Sequence, residues 1–223
     1  MTTRRRESAT HRAPANWRSI LRTARALVET GELEGLQMLF SAFRWRYDTA
    51  RNEAVRVLAS LRPPPVPYLL HMVRNAETSV ERRAAADALG RIGTRRASPA
   101  LLRALEDPHM VVRRAAMVAL LRIGARGTVP KIATLLRDES GGVRVLAAHV
   151  LGGFRDPRAV PSLLRTLRDP KWYVRQAAAE ALGEIGDERA LKALRGLARD
   201  SRPAVVRAVR DAVGQIERSH AAS

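Results

Sequence analysis

The segment Val174–Gly186 reads V-R-Q-A-A-A-E-A-L-G-E-I-G, and the chain returns to it at a fixed step of 31 residues. Upstream copies are Val143–Gly152 (V-R-V-L-A-A-H-V-L-G), Val112–Gly124 (V-R-R-A-A-M-V-A-L-L-R-I-G), Glu81–Gly93 (E-R-R-A-A-A-D-A-L-G-R-I-G) and Ala50–Leu61. Val205–Ile216 is a degraded copy. A unit that cannot bury its own apolar face repeats until neighbours cover it, so a period of this length means a stack. The expectation is an all-α fold, a right-handed α-solenoid of two-helix repeats with a 31-residue period.

Each regular unit opens a helix A near Pro99, Pro130 or Pro161, with Ser98 and Thr128 as capping residues ahead of the first two and Asp156-Pro157 marking a start before the third. A short turn at Asp107, Asp138, Asp169 or Asp200 leads into helix B, which closes on Gly93, Gly124 or Gly186. Before the repeats, Asn16–Thr30 reads as a helix capped by Asn16, and Gly35–Arg46 as a second. Pro63, Pro64, Pro65 and Pro67 predict an extended connector. The expected organisation is a basic disordered tail over 1–15, then one repeat domain over 16–218. Within it 16–46 is an N-terminal cap, about 49–200 the regular repeats, 201–218 a C-terminal cap helix, and 219–223 frays.

Composition narrows the class. Hydrophobic residues make up 46% but aromatics only 4%, which suits closely stacked helices with an Ala, Leu, Val and Ile core. There is no cysteine, so disulfides and thiolate metal sites are excluded, and a reducing, cytoplasmic setting fits. No apolar run approaches the roughly 18 residues of a membrane span. The formal charge is +18, from 40 basic and 22 acidic residues, and such a surplus favours polyanionic partners. The tail is Arg-rich and acid-poor, so an organelle-targeting reading stays open; no apolar stretch follows its arginines, so a secretory signal does not fit.

Two charged columns run through the repeats. Arg51, Arg82, Arg113, Arg144 and Arg175 are one repeat apart, as are Asp107, Asp138, Asp169 and Asp200. We read Arg82, Arg113, Arg144 and Arg175 with Asp107, Asp138 and Asp169 as a structural ladder. In it each Asp caps helix B, and a neighbouring Arg donates to it or to the turn carbonyls.

The V-R-x-x-A-A-x-A-L-G-x-I-G unit, with Asp-Pro before it and Asp156-Pro157-Arg158-Ala159-Val160-Pro161-Ser162-Leu163-Leu164 as a fuller stretch, resembles the HEAT-like repeat of the phycobilisome-lyase type. The resemblance covers about residues 49–217. It implies a HEAT-like solenoid, not one activity: similar repeats occur in bilin lyases, in the iron enzyme deoxyhypusine hydroxylase and in scaffolds, and more diverged ones in DNA glycosylases. The hydroxylase's iron needs His-Glu pairs. Here His11, His71, His109, His149 and His220 are none of them followed by Glu. No metal or nucleophile constellation is found, and no cofactor is expected.

Counting from the Val position, apolar residues fall at offsets 0, 3, 4, 7, 8 and 11, which leaves offsets 2, 5, 6 and 9 on the opposite, inner face. Arg56, Arg83 and Arg114, extended by Arg91 and Arg122, lead that face; Met117, Val118, Leu121 and Val145 surround His149; Glu180 and Glu184 follow. A nucleic-acid groove would carry cations throughout, whereas an apolar centre with polar edges fits a protein. The expected function is a non-catalytic interaction scaffold. A protein partner would seat on Met117, Val118, Leu121 and Val145, with Arg83, Arg91, Arg114, Arg122 and His149 around them. Two alternatives stay open. One is a nucleic-acid- or ribosome-associated protein contacting polyanions through Arg4, Arg5, Arg6, Arg12, Arg95, Arg96 and Arg126. The other is a bilin- or tetrapyrrole-handling, lyase-like protein. Oligomeric state is left open.

Overall fold

The computed structural model describes residues 13–45 and 47–221, and every element among them is helical. Of the expected tail, residues 1–12 lie outside the described residues, while Ala13 is buried. No helix is long and apolar enough to cross a membrane among the described residues. Contacts divide the chain into two compact units, Met1–Ile123 and Gly124–Ser223.

The first unit contains α1 (Trp17–Glu29), α2 (Leu33–Ser41), α3 (Asp48–Ser60), α4 (Val66–Asn75), α5 (Ser79–Ile92), α6 (Ser98–Ala104) and α7 (Met110–Ile123). The second contains α8 (Val129–Thr134), α9 (Gly141–Phe154), α10 (Val160–Thr166), α11 (Trp172–Ile185), α12 (Leu191–Gly196) and α13 (Pro203–Ala221). The long B helices therefore begin at Ser79, Met110, Gly141, Trp172 and Pro203, and the short A helices α6, α8, α10 and α12 lie between them.

Pro99, Pro130 and Pro161 sit in the first turn of their A helices, where the missing N–H has no helical partner to lose. The capping expectation for Ser98 and Thr128 is corrected. Ser98 is itself the first residue of α6, and the Thr128 hydroxyl donates to the Ala125 carbonyl at 2.6 Å. A 3-10 turn precedes each A helix, so backbone groups take up the first donors (Ala97 and Thr128 amides to Thr94 and Ala125 carbonyls). Asp156 does cap, but the turn rather than the helix: it accepts the Arg158 amide at 3.0 Å. Asn16 stands at the N-cap of α1 without a side-chain bond. Pro67, expected in the connector, falls inside the first turn of α4.

Gly93, Gly124 and Gly186 close α5, α7 and α11 with φ of 74°, 71° and 76°. That left-handed geometry admits glycine without a Cβ clash. At the end of α9 Arg155 adopts it instead, with φ 49°. The last helix runs through Ala221, past the end expected at Arg218, and His220 Nδ1 lies 3.2 Å from Glu188.

The core is aliphatic and small. B helices pack side by side, α5 between α3 and α7, and α11 between α9 and α13. They approach so closely that a Cβ on Gly90 would lie 2.7 Å from the Cα of Ala119; Gly152 meets Ala181 and Gly183 meets Ala212 in the same way. This corrects the expected inner face. Offset 9 is buried at Gly90, Gly152 and Gly183, and offset 5 is buried at Val55, Ala86, Met117, Ala148 and Ala179. A helix flanked on both sides by its own kind buries three faces. Only the stripe at offsets 2, 6 and one turn further stays open.

Candidate functional site

The structure places the charged columns at the A-to-B turns. Arg82 Nε lies 2.7 Å from Asp107 Oδ2 and its Nη2 3.1 Å from Oδ1. Arg144 grips Asp169 at 2.8 and 3.0 Å, and Arg175 grips Asp200 at 2.8 and 2.9 Å. In each case the third nitrogen donates to carbonyls of the turn before its own helix, as Arg175 does to Asp169 at 2.9 Å. Arg113 makes the corresponding bond to the Asp107 carbonyl at 2.9 Å. The aspartates do not reach the first helical amides: Asp107, Asp138 and Asp169 accept from His109, Ser140 and Lys171, two residues on, which tightens the turn. The Arg175 hydrogen bond holds the Asp200 carboxyl below the usual carboxylate range.

In the first unit, Arg83 is half-buried, with Asp48 at 3.7 Å and Asp87 at 3.9 Å. Arg91, Arg114 and Arg122 are exposed and make no side-chain hydrogen bond or ion pair among the described residues. Burial raises the Asp87 carboxyl above its ordinary value, although Arg83, Arg122 and Arg91 pull the other way. Val118 and Leu121 are half-buried beside these arginines. Met117 is fully buried and cannot serve as a surface anchor; its position faces a flank of the helix, not the open stripe. Arg56 on α3 is also exposed, paired to Glu53 at 2.9 Å.

Val145 and His149 belong to the second unit. His149 is exposed, with Nδ1 3.9 Å from Glu180 Oε2, and Gln176 donates to Glu180 at 2.7 Å. Glu184, Arg207 and Asp211 complete a shallow groove of about 540 Å³ there. Its acids set it apart from the arginine-rich stripe of α5 and α7.

The sequence matches the family model described as HEAT repeats over residues 66–142 and 129–214. The chain is a HEAT-repeat protein. Similar folds include a designed armadillo repeat protein in complex with the peptide (KR)4. It is 15% identical with a TM-score of 0.58, over 89% of this chain and 98% of that one. An engineered protein is 19% identical with a TM-score of 0.55, over 82% and 98%. The complex of CpcE and CpcF of phycocyanin lyase from Nostoc sp. PCC7120 is 22% identical with a TM-score of 0.45, over 97% and 95%. No curated protein matches the chain. At these identities the likeness shows the HEAT-type fold alone, so roles rest on this chain's own residues.

Among the remaining candidates, Arg95 and Arg96 are exposed on the 3-10 turn before α6, and Arg126 on the turn before α8, where its carbonyl accepts from Arg158 at 3.0 Å. Arg4, Arg5, Arg6 and Arg12 lie outside the described residues.

Proposed function

We propose that this HEAT-repeat chain is a non-catalytic scaffold that holds an acidic, partly apolar protein segment on the open stripe of α5 and α7. The observation that carries this is the company of side chains there. Exposed Arg91, Arg114 and Arg122 make no hydrogen bond or ion pair to an acid among the described residues, although Arg91 and Arg122 act on Asp87 through space, and half-buried Val118 and Leu121 lie on the same helix face. Protein interfaces pair an apolar centre with a polar rim. Guanidinium forks donate to carboxylates in two-point geometry. The (KR)4 ligand of the designed armadillo protein is basic; the arginines here favour the opposite sign. Arg83 sits between Asp48 and Asp87 and would set the edge of the surface. His149 lies beside Glu180 in an acid-lined groove of the second unit, which also holds Val145, so the proposal rests on the first.

A random peptide library selected against the full chain tests it. Enriched sequences should join an apolar pair to Asp or Glu, and their binding should drop at least tenfold with Val118→Asp plus Leu121→Asp. The variant should keep the wild-type circular dichroism spectrum, since both side chains are already half-exposed. Arg114→Glu plus Arg122→Glu should lose the same ligands without touching packing. Enrichment of basic peptides, or binding indifferent to both variants, would place the partner surface elsewhere.

A further inference from the structure

A column of arginines runs along the A-helix ends of the second unit. Arg137, Arg168 and Arg199 recur one repeat apart, each just before the turn aspartate. All three are exposed, and none makes a side-chain hydrogen bond or ion pair among the described residues. Their neighbours in sequence do not neutralise them: Asp169 is held by Arg144 and Asp200 by Arg175. The ladder thus consumes the acids and leaves the adjacent arginines unopposed. Exposed Arg165 and Lys192, also without an acid, stand between the column members.

The fold supplies a channel for what these cations would hold. Gly152 on Ala181 and Gly183 on Ala212 draw the B helices together. On the A-helix side, Gly196 has nothing within 4 Å of its Cβ position, and clefts lie between the A helices. The cleft between α8 and α10, about 540 Å³, is bordered by Arg137, Arg165 and Arg168. The next, between α10 and α12, is about 710 Å³ and is bordered by Arg165, Arg168 and Lys192. The same two arginines border both, so Arg165 and Arg168 link the two clefts, with Asp138 and the Arg144-held Asp169 also on the wall of the first.

We infer that this strip binds the phosphate backbone of a nucleic acid. Stacked helices stand about 8–10 Å apart, so successive column members span roughly three charges of a strand at about 3.4 Å each. Arginine presents a planar fork that matches a phosphate's oxygens. Contacts of this kind position a backbone without reading its sequence. The strip lies on different helices from the proposed protein surface, so the two readings stand or fall separately.

The test is fluorescence anisotropy of the full chain with a labelled duplex DNA and a labelled hairpin RNA, across a salt series. Two triple variants remove equal charge: R137Q/R168Q/R199Q from the strip and R91Q/R114Q/R122Q from the α5–α7 stripe. The strip variant should bind at least tenfold more weakly. Its slope of log affinity against log salt should fall by about 3, near 0.9 per lost phosphate contact on duplex DNA. The stripe variant should lose far less. Arg168→Gln alone, at a residue with no side-chain hydrogen bond or ion pair among the described residues, gives a slope change of about 1 and guards against misfolding of the triple. Equal loss in both triples, or none in the strip variant, overturns the inference. So does wild-type binding to polyglutamate or to phosphatidylserine vesicles that matches or exceeds binding to the nucleic acids.

Discussion

Arg175 on α11 reaches Asp200, the turn residue ahead of α13, with Nε–Oδ2 at 2.8 Å and Nη2–Oδ1 at 2.9 Å. Both side chains are largely buried, at 15% and 6% exposure. One guanidinium thereby joins two consecutive units: two nitrogens serve the next turn and the third serves its own. Arg175→Ala leaves Asp200 charged and without its fork, which should cost about 2–4 kcal/mol. Arg175→Lys should recover only part of that, because an ammonium cannot bridge both oxygens. Urea unfolding at pH 7 measures both.

The same pair sets a pH dependence. The Arg175 hydrogen bond depresses the Asp200 carboxyl, so its contribution is fully present above the unfolded value near 4 and is lost as pH falls through the folded value. Wild-type stability should therefore fall below about pH 4, and Arg175→Ala should flatten that limb. Asp87 has the opposite sign. Burial raises its carboxyl, so ionisation works against the folded state as pH rises through the folded value. Asp87→Asn should raise stability at pH 7, and the gain should vanish near pH 3. Parallel unfolding series from pH 3 to pH 7 separate the two.

Helix packing gives a paired prediction on glycines. A Cβ at position 183 would lie 2.8 Å from the Ala212 backbone, so Gly183→Ala should destabilise by about 1–3 kcal/mol through overpacking. Gly196 in α12 has nothing within 4 Å of its Cβ position. Gly196→Ala should be neutral or stabilise by up to about 1 kcal/mol through the unfolded chain. Thermal melts of both variants suffice, and equal effects would contradict the packing account.

Arg155 offers a gain. It ends α9 at φ 49°, where the other B helices ending on a left-handed residue have glycine. Arg155→Gly should relieve roughly 1 kcal/mol of backbone strain, partly offset by glycine's greater freedom when unfolded. A drop in melting temperature would show that the Arg155 side chain matters more than its backbone.

The fold was legible because most units state their ends locally: proline opens α6, α8 and α10, glycine closes α5, α7 and α11, and Val-Arg marks the phase in α7, α9 and α11. The site was legible only in part. Offsets around a helical wheel assume one buried face, whereas α5 and α11 are flanked on both sides by other B helices. Alanine and glycine at offsets 5 and 9 signal that burial, but small residues also suit an open groove, so Met117 was read outward when it is fully enclosed. Arg83, Arg114 and Arg122 lie at offset 2 and one turn beyond offset 6, where Arg83 is half-buried and the other two are exposed. The partners of each guanidinium needed coordinates: Arg168 and Arg144 look alike in sequence, yet one is exposed and unopposed and the other is locked to Asp169.

The central claim is a partner surface on α5 and α7 defined by arginines around an apolar pair. A charge-swap cycle by calorimetry tests it most directly, using the best acidic peptide from the library selection. R91E/R114E/R122E should weaken that peptide at least tenfold, and a peptide with its Asp and Glu changed to Lys should regain affinity for the variant but not for the wild type. Affinity unchanged by the reversal, or no rescue by the basic peptide, would contradict the assignment of this face.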